Sequence, residues 1–216
     1  MDGILIVDKP GGLTSHDVVA RVRRLLRERR VGHTGTLDPF ATGVLVLLVG
    51  RATRLAQFLA VDEKDYEAVI RFGYATETGD LTGARRASEE NKARVISTGR
   101  PPWSDAQIEE ALSGLRGEIE QVPPMYSAKK VKGQKLYELA RRGEEVEREA
   151  ARVSVREFAA VRQQGGALLR RDDCDETYDM AVRVVWSAGT YVRTLAESVG
   201  ERLGVGAHLA ALRRTR

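Results

Sequence analysis

The chain reads as an α+β fold, a mixed or antiparallel sheet with helices packed on it, and three observations predict this. First, alternating strand patterns outnumber helical ones in the middle of the chain: residues 64–73 place Tyr66, Ala68, Ile70 and Phe72 on one face, and 153–158 and 181–185 alternate likewise. Second, helical periodicity is confined to a few short, capped stretches. Third, the connections are too irregular for the regular strand–helix alternation of a doubly wound sheet. The 216 residues can bury a sizeable core, and no repeat, low-complexity segment or strong linker divides them. One domain over residues 1–216 is therefore expected.

Residues 3–8 are a short apolar run rich in β-branched residues, which predicts a buried strand ended by the turn Lys9-Pro10-Gly11-Gly12. Thr14-Ser15-His16-Asp17 then caps a helix that carries Val18, Val19, Val22, Leu25 and Leu26 on one face and arginines on the other. Residues 31–43 make a poor helix and a poor strand and predict a shaped loop, after which 44–49 form a strand and 52–59 a short helix. The loop 76–83 and the polar, patternless segment 84–102 follow the strand at 64–73. Ser104-Asp105-Ala106-Gln107 caps a helix to about Leu115, with Ile108, Ala111, Leu112 and Leu115 buried. A short helix over 133–142 closes at Gly143, and a last helix spans 194–203.

The 42% hydrophobic and 31% charged content is that of a soluble globular chain. No run approaches a membrane span, and the start lacks the basic region and cleavage site of a signal peptide, so a cytoplasmic location is expected. The lone Cys174 excludes an internal disulfide and, with only three histidines, argues against a structural zinc site. Its acidic neighbours Asp172, Asp173, Asp175 and Glu176 raise a thiol pKa, which argues against a catalytic thiol. The net charge is only +4, but the cations cluster. Arg21, Arg23, Arg24, Arg27, Arg29 and Arg30 precede the loop at 31–43, and Lys129, Lys130, Lys132 and Lys135 form a second group. Such clusters suit either a phosphate backbone or a solvated face.

The loop at 31–43 holds one acid, Asp38, before a proline that favours an extended backbone. Asp38 is a candidate nucleophile or base; a plain Asp-Pro turn with turn glycines is the alternative. The whole word Gly-His-Thr-Gly-Thr-Leu-Asp-Pro-Phe-Ala-Thr-Gly-Val-Leu, beginning at Gly32, closely resembles the catalytic motif of the TruB family of tRNA pseudouridine synthases. Further stretches resemble motifs of the same family: Lys9-Pro10-Gly11-Gly12-Leu13-Thr14-Ser15, Lys64-Asp65-Tyr66, residues 76–83, Tyr126-Ser127-Ala128-Lys129 after two prolines, and Gly189-Thr190-Tyr191-Val192-Arg193. Trp186-Ser187-Ala188 departs from the Cys-Ser-Lys expected before the last of these, which predicts an altered secondary contact.

The resemblance covers nearly the whole chain and implies the pseudouridine synthase fold, a mixed, mostly antiparallel sheet with a cleft across its middle. It implies conversion of uridine to pseudouridine at position 55 in the T-loop of tRNA, with the T-arm stem-loop as partner and the protein acting as a monomer. It also implies a small C-terminal RNA-binding (PUA-like) domain in other members, which this chain is expected to lack. Asp38 is implied as nucleophile, attacking C6 of the base or C1′ of the sugar, with Arg193 holding it charged. Tyr66 is implied to stack on the uracil and to accept the C5 proton, and Tyr191 and Leu212 to wall the pocket. His33 is implied to fill or stack in the space that the flipped base vacates. Lys9, Gly35 and Thr36 are expected beside the substrate, Lys9 as a structural or backbone-contacting residue.

The isomerisation needs no redox carrier, metal or nucleotide energy source, and the sequence carries no dinucleotide fingerprint, P-loop or metal-ligand cluster. No cofactor and no metal are expected. Two rivals stand beside this reading. One is a non-catalytic module that binds and folds tRNA. The other is a carboxylate-dependent nucleosidase, which wants a second acid near Asp38, and the sequence shows no evident one.

Overall fold

The computed structural model describes residues 1–59, 63–86, 102–131, 133–173, 177–187 and 189–216. The strongest sequence signal becomes a long central strand. β4 (Lys64–Phe72) buries Tyr66, Ala68, Ile70 and Phe72 while the intervening side chains face the other way. Its neighbour β10 (Thr177–Trp186) is buried along nearly its whole length and pairs with it antiparallel. β8 (Ala151–Ala160) and β5 (Gly117–Gln121) extend the sheet on that side, and β9 (Leu169–Asp172) forms a hairpin with β10.

On the other side of β4 lies β11 (Ala207–Arg214), then β3 (Thr42–Val49), then β1 (Gly3–Lys9), with the short β2 (Val31–His33) also paired to β3. The order is therefore β1-β3-β11-β4-β10-β8-β5, and β11 runs parallel to β3 but antiparallel to β4. The mixed, mostly antiparallel sheet is as expected. Close approach of β11 requires Gly43, whose φ of 103° suits glycine and where a Cβ would collide with the Arg214 backbone.

Helices α1 (Ser15–Leu26), α3 (Asp105–Ser113) and α5 (Val192–Arg202) supply Val18, Val19, Val22, Ile108, Leu112, Leu195 and Val199 to the core cluster. Both predicted caps are full capping boxes, Thr14 with Asp17 and Ser104 with Gln107. A 3-10 turn (Gly50–Leu55) and α2 (Ala56–Leu59) stand where one short helix is predicted. α4 (Leu136–Ala140) is shorter than predicted, because β6 (Lys130–Val131) and β7 (Gln134–Lys135) form a small hairpin just before it.

Several expectations are corrected. β1 is a strand but not a buried one: it is the outer strand of the sheet, and Ile4, Leu5 and Ile6 are 52%, 40% and 69% exposed. Leu25, placed on the buried face of α1 by its spacing, lies in the last turn and faces solvent. The loop at 31–43 is narrower than predicted, since its ends are β2 and the start of β3. β5, β9 and β11 carry no clear sequence signal. Most of the segment 84–102, and also Lys132, Cys174 and Ala188, lie outside the described residues.

Candidate active site

Asp38 sits where the loop between β2 and β3 is pinned from two sides. Ser15, the first residue of α1, accepts a hydrogen bond from Leu37 N at 2.8 Å and donates one to Leu37 O at 3.2 Å. Lys9 is fully buried, and its ammonium donates to Pro10 O, Leu13 O and Pro39 O at 3.0, 2.7 and 3.2 Å. Gly12 N also donates to Pro39 O at 2.8 Å. The residues on either side of Asp38 are thus fixed to the first turn of the chain, which leaves the carboxylate little freedom to wander. Lys9 acts here as scaffold, and burial pulls its pKa down.

Arg193, in the first turn of α5, grips that carboxylate from 155 residues away in sequence. Its Nε lies 2.9 Å from Oδ2 and its Nη2 3.1 Å from Oδ1, a two-pronged pairing. Nη1 donates to Thr78 O at 2.9 Å and Nη2 also to Tyr126 O at 2.7 Å. With only 4% of its side chain exposed, the guanidinium is held on every side, while Asp38 keeps 32% of its own surface toward the cleft.

The loop that presents Thr78 O is itself organised by Asp80, whose Oδ1 accepts from Thr78 Oγ1 and Thr82 N, each at 2.9 Å, and from Thr82 Oγ1. Backbone hydrogen bonds from Leu81 N to Leu209 O and from Leu209 N to Gly79 O tie this loop to β11. Asp80 is the second acid that the sequence does not make evident. It lines the same cleft, of about 670 Å³, as His33, Thr36, Asp38, Tyr126 and Arg193. Its only sequence signal is the pattern Thr78-x-Asp80-x-Thr82, which suits a side chain capping its own turn. The carbonyls of Thr78 and Tyr126 leave no side-chain signal at all.

Burial pushes the Asp38 carboxyl above the ordinary carboxylate value; Arg193 opposes this and the nearby Asp80 charge adds to it. Arg193 therefore moderates rather than dominates. His33 has its pKa lowered by burial, against a backbone hydrogen bond with Gly35 that raises it, and its Nδ1 is buried with no geometrically sound hydrogen-bond partner among the described residues. Tyr66 is pushed up to about 12, chiefly by burial, so its phenol is neutral near pH 7. That shift runs against service as a ready proton acceptor.

The structure brings His33, Thr36, Asp38 and Arg193 together in one cleft and leaves other predicted residues around it. Gly35 packs close to Arg214 and Lys64. Tyr66 is 5% exposed and stacks on Trp186, yet remains within electrostatic reach of Asp38. Tyr191, outside the lining of the cleft, is fixed through its backbone by Gln121, which donates to its carbonyl at 3.1 Å and accepts from its N–H at 2.7 Å. Leu212 is buried and borders a separate apolar groove with Phe40 and Ala68. Among the described residues no group of three or more His, Cys, Asp or Glu could hold a metal ion, and no helix is long and apolar enough to cross a membrane.

Comparison with known proteins gives one consistent answer. Residues 23–192 match the model of the TruB family pseudouridylate synthase (N terminal domain). The whole chain is 51% identical to tRNA pseudouridine synthase B of Thermobifida fusca (strain YX), covering 69% of that protein, and 49% identical to the protein of the same name from Geobacillus kaustophilus (strain HTA426), covering 70%. Among solved structures, 99% of the chain superimposes on 48% of a chain in a Cbf5-Nop10-Gar1 complex, with a TM-score of 0.68 and 30% identity. The chain thus spans about two thirds of these relatives and about half of that structure.

Proposed function

Because the chain belongs to the TruB family of pseudouridylate synthases, we propose that it isomerises uridine to pseudouridine in tRNA, at position 55 of the T-loop, with Asp38 as the nucleophile. The observation that carries this reading is the forked pairing of Asp38 with Arg193 in a cleft open to solvent on the Asp38 side. A carboxylate so placed is oriented and kept available, and its partner is too firmly held to swing away.

The reaction breaks the N1–C1′ bond, turns the uracil and joins C5 to C1′; C5 gives up a proton and N1 gains one. Asp38 attacks C6 or C1′ to release the base and is regenerated when the new bond has formed. The target must first leave its stacked loop, at a cost of about a few kcal/mol, which phosphate contacts and stacking offset. His33, whose side chain lines the cleft, suits the space left by the flipped base. Tyr66 suits the role of stacking surface better than that of base. The exposed arginines Arg21, Arg24, Arg27, Arg29 and Arg30 and the lysines Lys129, Lys130 and Lys135 supply positive charge for the phosphate backbone.

The test is a tRNA transcript incubated with wild-type protein and with Asp38→Asn, scored for pseudouridine by chemical labelling. Asp38→Asn is expected to keep its fold and its tRNA affinity and to lose product by a factor of about 10³ or more, as for removal of a nucleophile. Near wild-type turnover by this variant would refute the assignment. Binding of tRNA without any product from the wild-type chain would instead favour the non-catalytic folding module.

A further inference from the structure

Trp186 and Tyr66 form a parallel ring pair with centroids 4.3 Å apart and planes inclined by 10°. Both rings are buried. In the antiparallel β4–β10 ladder Tyr66 lies opposite Val184 and Trp186 opposite Lys64, so the two rings project from one face at diagonal positions, within reach of each other. The register of β10 against β8 shifts between Val185 and Trp186, an irregularity of the kind that re-aims a side chain. Beyond it, Ser187 N donates to Ser154 O at 2.9 Å, Ser154 N to Ser187 Oγ at 3.1 Å and Thr190 Oγ1 to Ser187 O at 3.1 Å. Trp186 therefore stands on a fixed strand end that leads directly to Tyr191 and Arg193.

We propose that Trp186 is a positioning residue for the reaction: it covers one face of the Tyr66 ring, sets the plane of that ring, and so makes the target uracil the third layer of an aromatic stack. The inference rests on the functional reading above. Its physical basis is that a tyrosine ring flanked by small or flexible side chains can rock about its side-chain torsions, whereas offset stacking on an indole favours one plane. A cysteine at 186, the residue that the motif leads one to expect, would cover far less of the ring. The departure at this position thus changes how the stacking surface is held without altering Asp38 or Arg193.

The experiment compares the full chain with Trp186→Leu, Trp186→Cys and Trp186→Phe, measuring the single-turnover rate of pseudouridine formation and, separately, the Kd for the same tRNA. Trp186→Leu and Trp186→Cys are expected to lower the rate tenfold or more while Kd stays within twofold. Trp186→Phe, which keeps an aromatic layer, is expected to restore at least a third of the wild-type rate. A role in packing alone would not be rescued selectively by an aromatic ring. Should Trp186→Leu fail to fold, Trp186→Met fills the space without a ring and is compared with Trp186→Phe in the same way. A ringless variant within twofold of the wild-type rate, or Trp186→Phe as slow as the ringless variants, overturns this inference alone. An inactive wild-type chain overturns the functional reading and this inference with it.

Discussion

At the scale of single residues, a fully buried charge and a half-buried one, both close to Pro39, do opposite work. Lys9 is fully buried and directs its ammonium at three backbone carbonyls. Replacing it with methionine keeps the volume but strands those acceptors, so Lys9→Met should cost about 2–4 kcal/mol in urea unfolding, with activity lost in step as the loop loosens. In the proposed reaction Asp38 works by being ionised, and burial together with Asp80 holds its pKa above the ordinary value. The acid limb of kcat/KM should therefore lie above the normal carboxylate range, because activity falls as Asp38 takes up its proton. Asp80→Asn removes a like charge, favours the ionised form, and should move that limb to lower pH; a limb that stays put would show that Asp80 does not act on Asp38 through its charge. The sign for stability is the reverse: a carboxyl with a raised folded pKa favours the folded state below its unfolded pKa, and that contribution is lost as pH rises through the folded value. These residues differ in how legible they are. Asp38 stands out as a lone acid in a glycine-rich loop, but the pairing with Arg193 cannot be read from spacing, since nothing local links positions 155 apart.

At the scale of elements, what the sequence discloses is what local physics decides. The alternation in β4 and the capping boxes of α1 and α3 depend on neighbours in the chain and are found as predicted. β1 is misjudged because a run of apolar β-branched residues specifies a strand without saying whether anything covers it. β11 is missed because Leu209 and Leu212 fit helical spacing and arginines crowd its end; its strand character comes from partners on both sides, far away in sequence. The start of α1 also belongs to the site, since Thr14 caps the helix and Ser15 holds Leu37. Thr14→Ala should cost about 1 kcal/mol and leave turnover near normal. Ser15→Ala leaves the buried Leu37 N–H without its acceptor, for about 1–3 kcal/mol, and should lower kcat as well. Thermal melts paired with turnover at a temperature well below the lower melting point separate the two effects.

At the scale of the whole molecule, the tRNA reading makes binding dependent on salt. Each phosphate contact removed should flatten the slope of log affinity against log salt by roughly 0.7–0.9. Arg24→Ala in the last turn of α1 combined with Arg27→Ala at its C-cap, both exposed, tests whether that cluster faces RNA: an unchanged slope would assign it to a merely solvated surface. Sheet order, unlike the helices, lies beyond sequence reasoning, because it is set by which strands can reach one another once the chain has collapsed. That order has a further consequence. β11, which follows every other strand named above in chain order, inserts between β3 and β4 and carries the hydrogen bonds that seat the Asp80 loop beneath Arg193. While the chain is still emerging from the ribosome, the strands on either side of this gap exist without the strand that joins them. The cleft can close only after β11 has left the exit tunnel, so a nascent chain stalled short of β11 would hold Asp38 without the support that orients its partner Arg193.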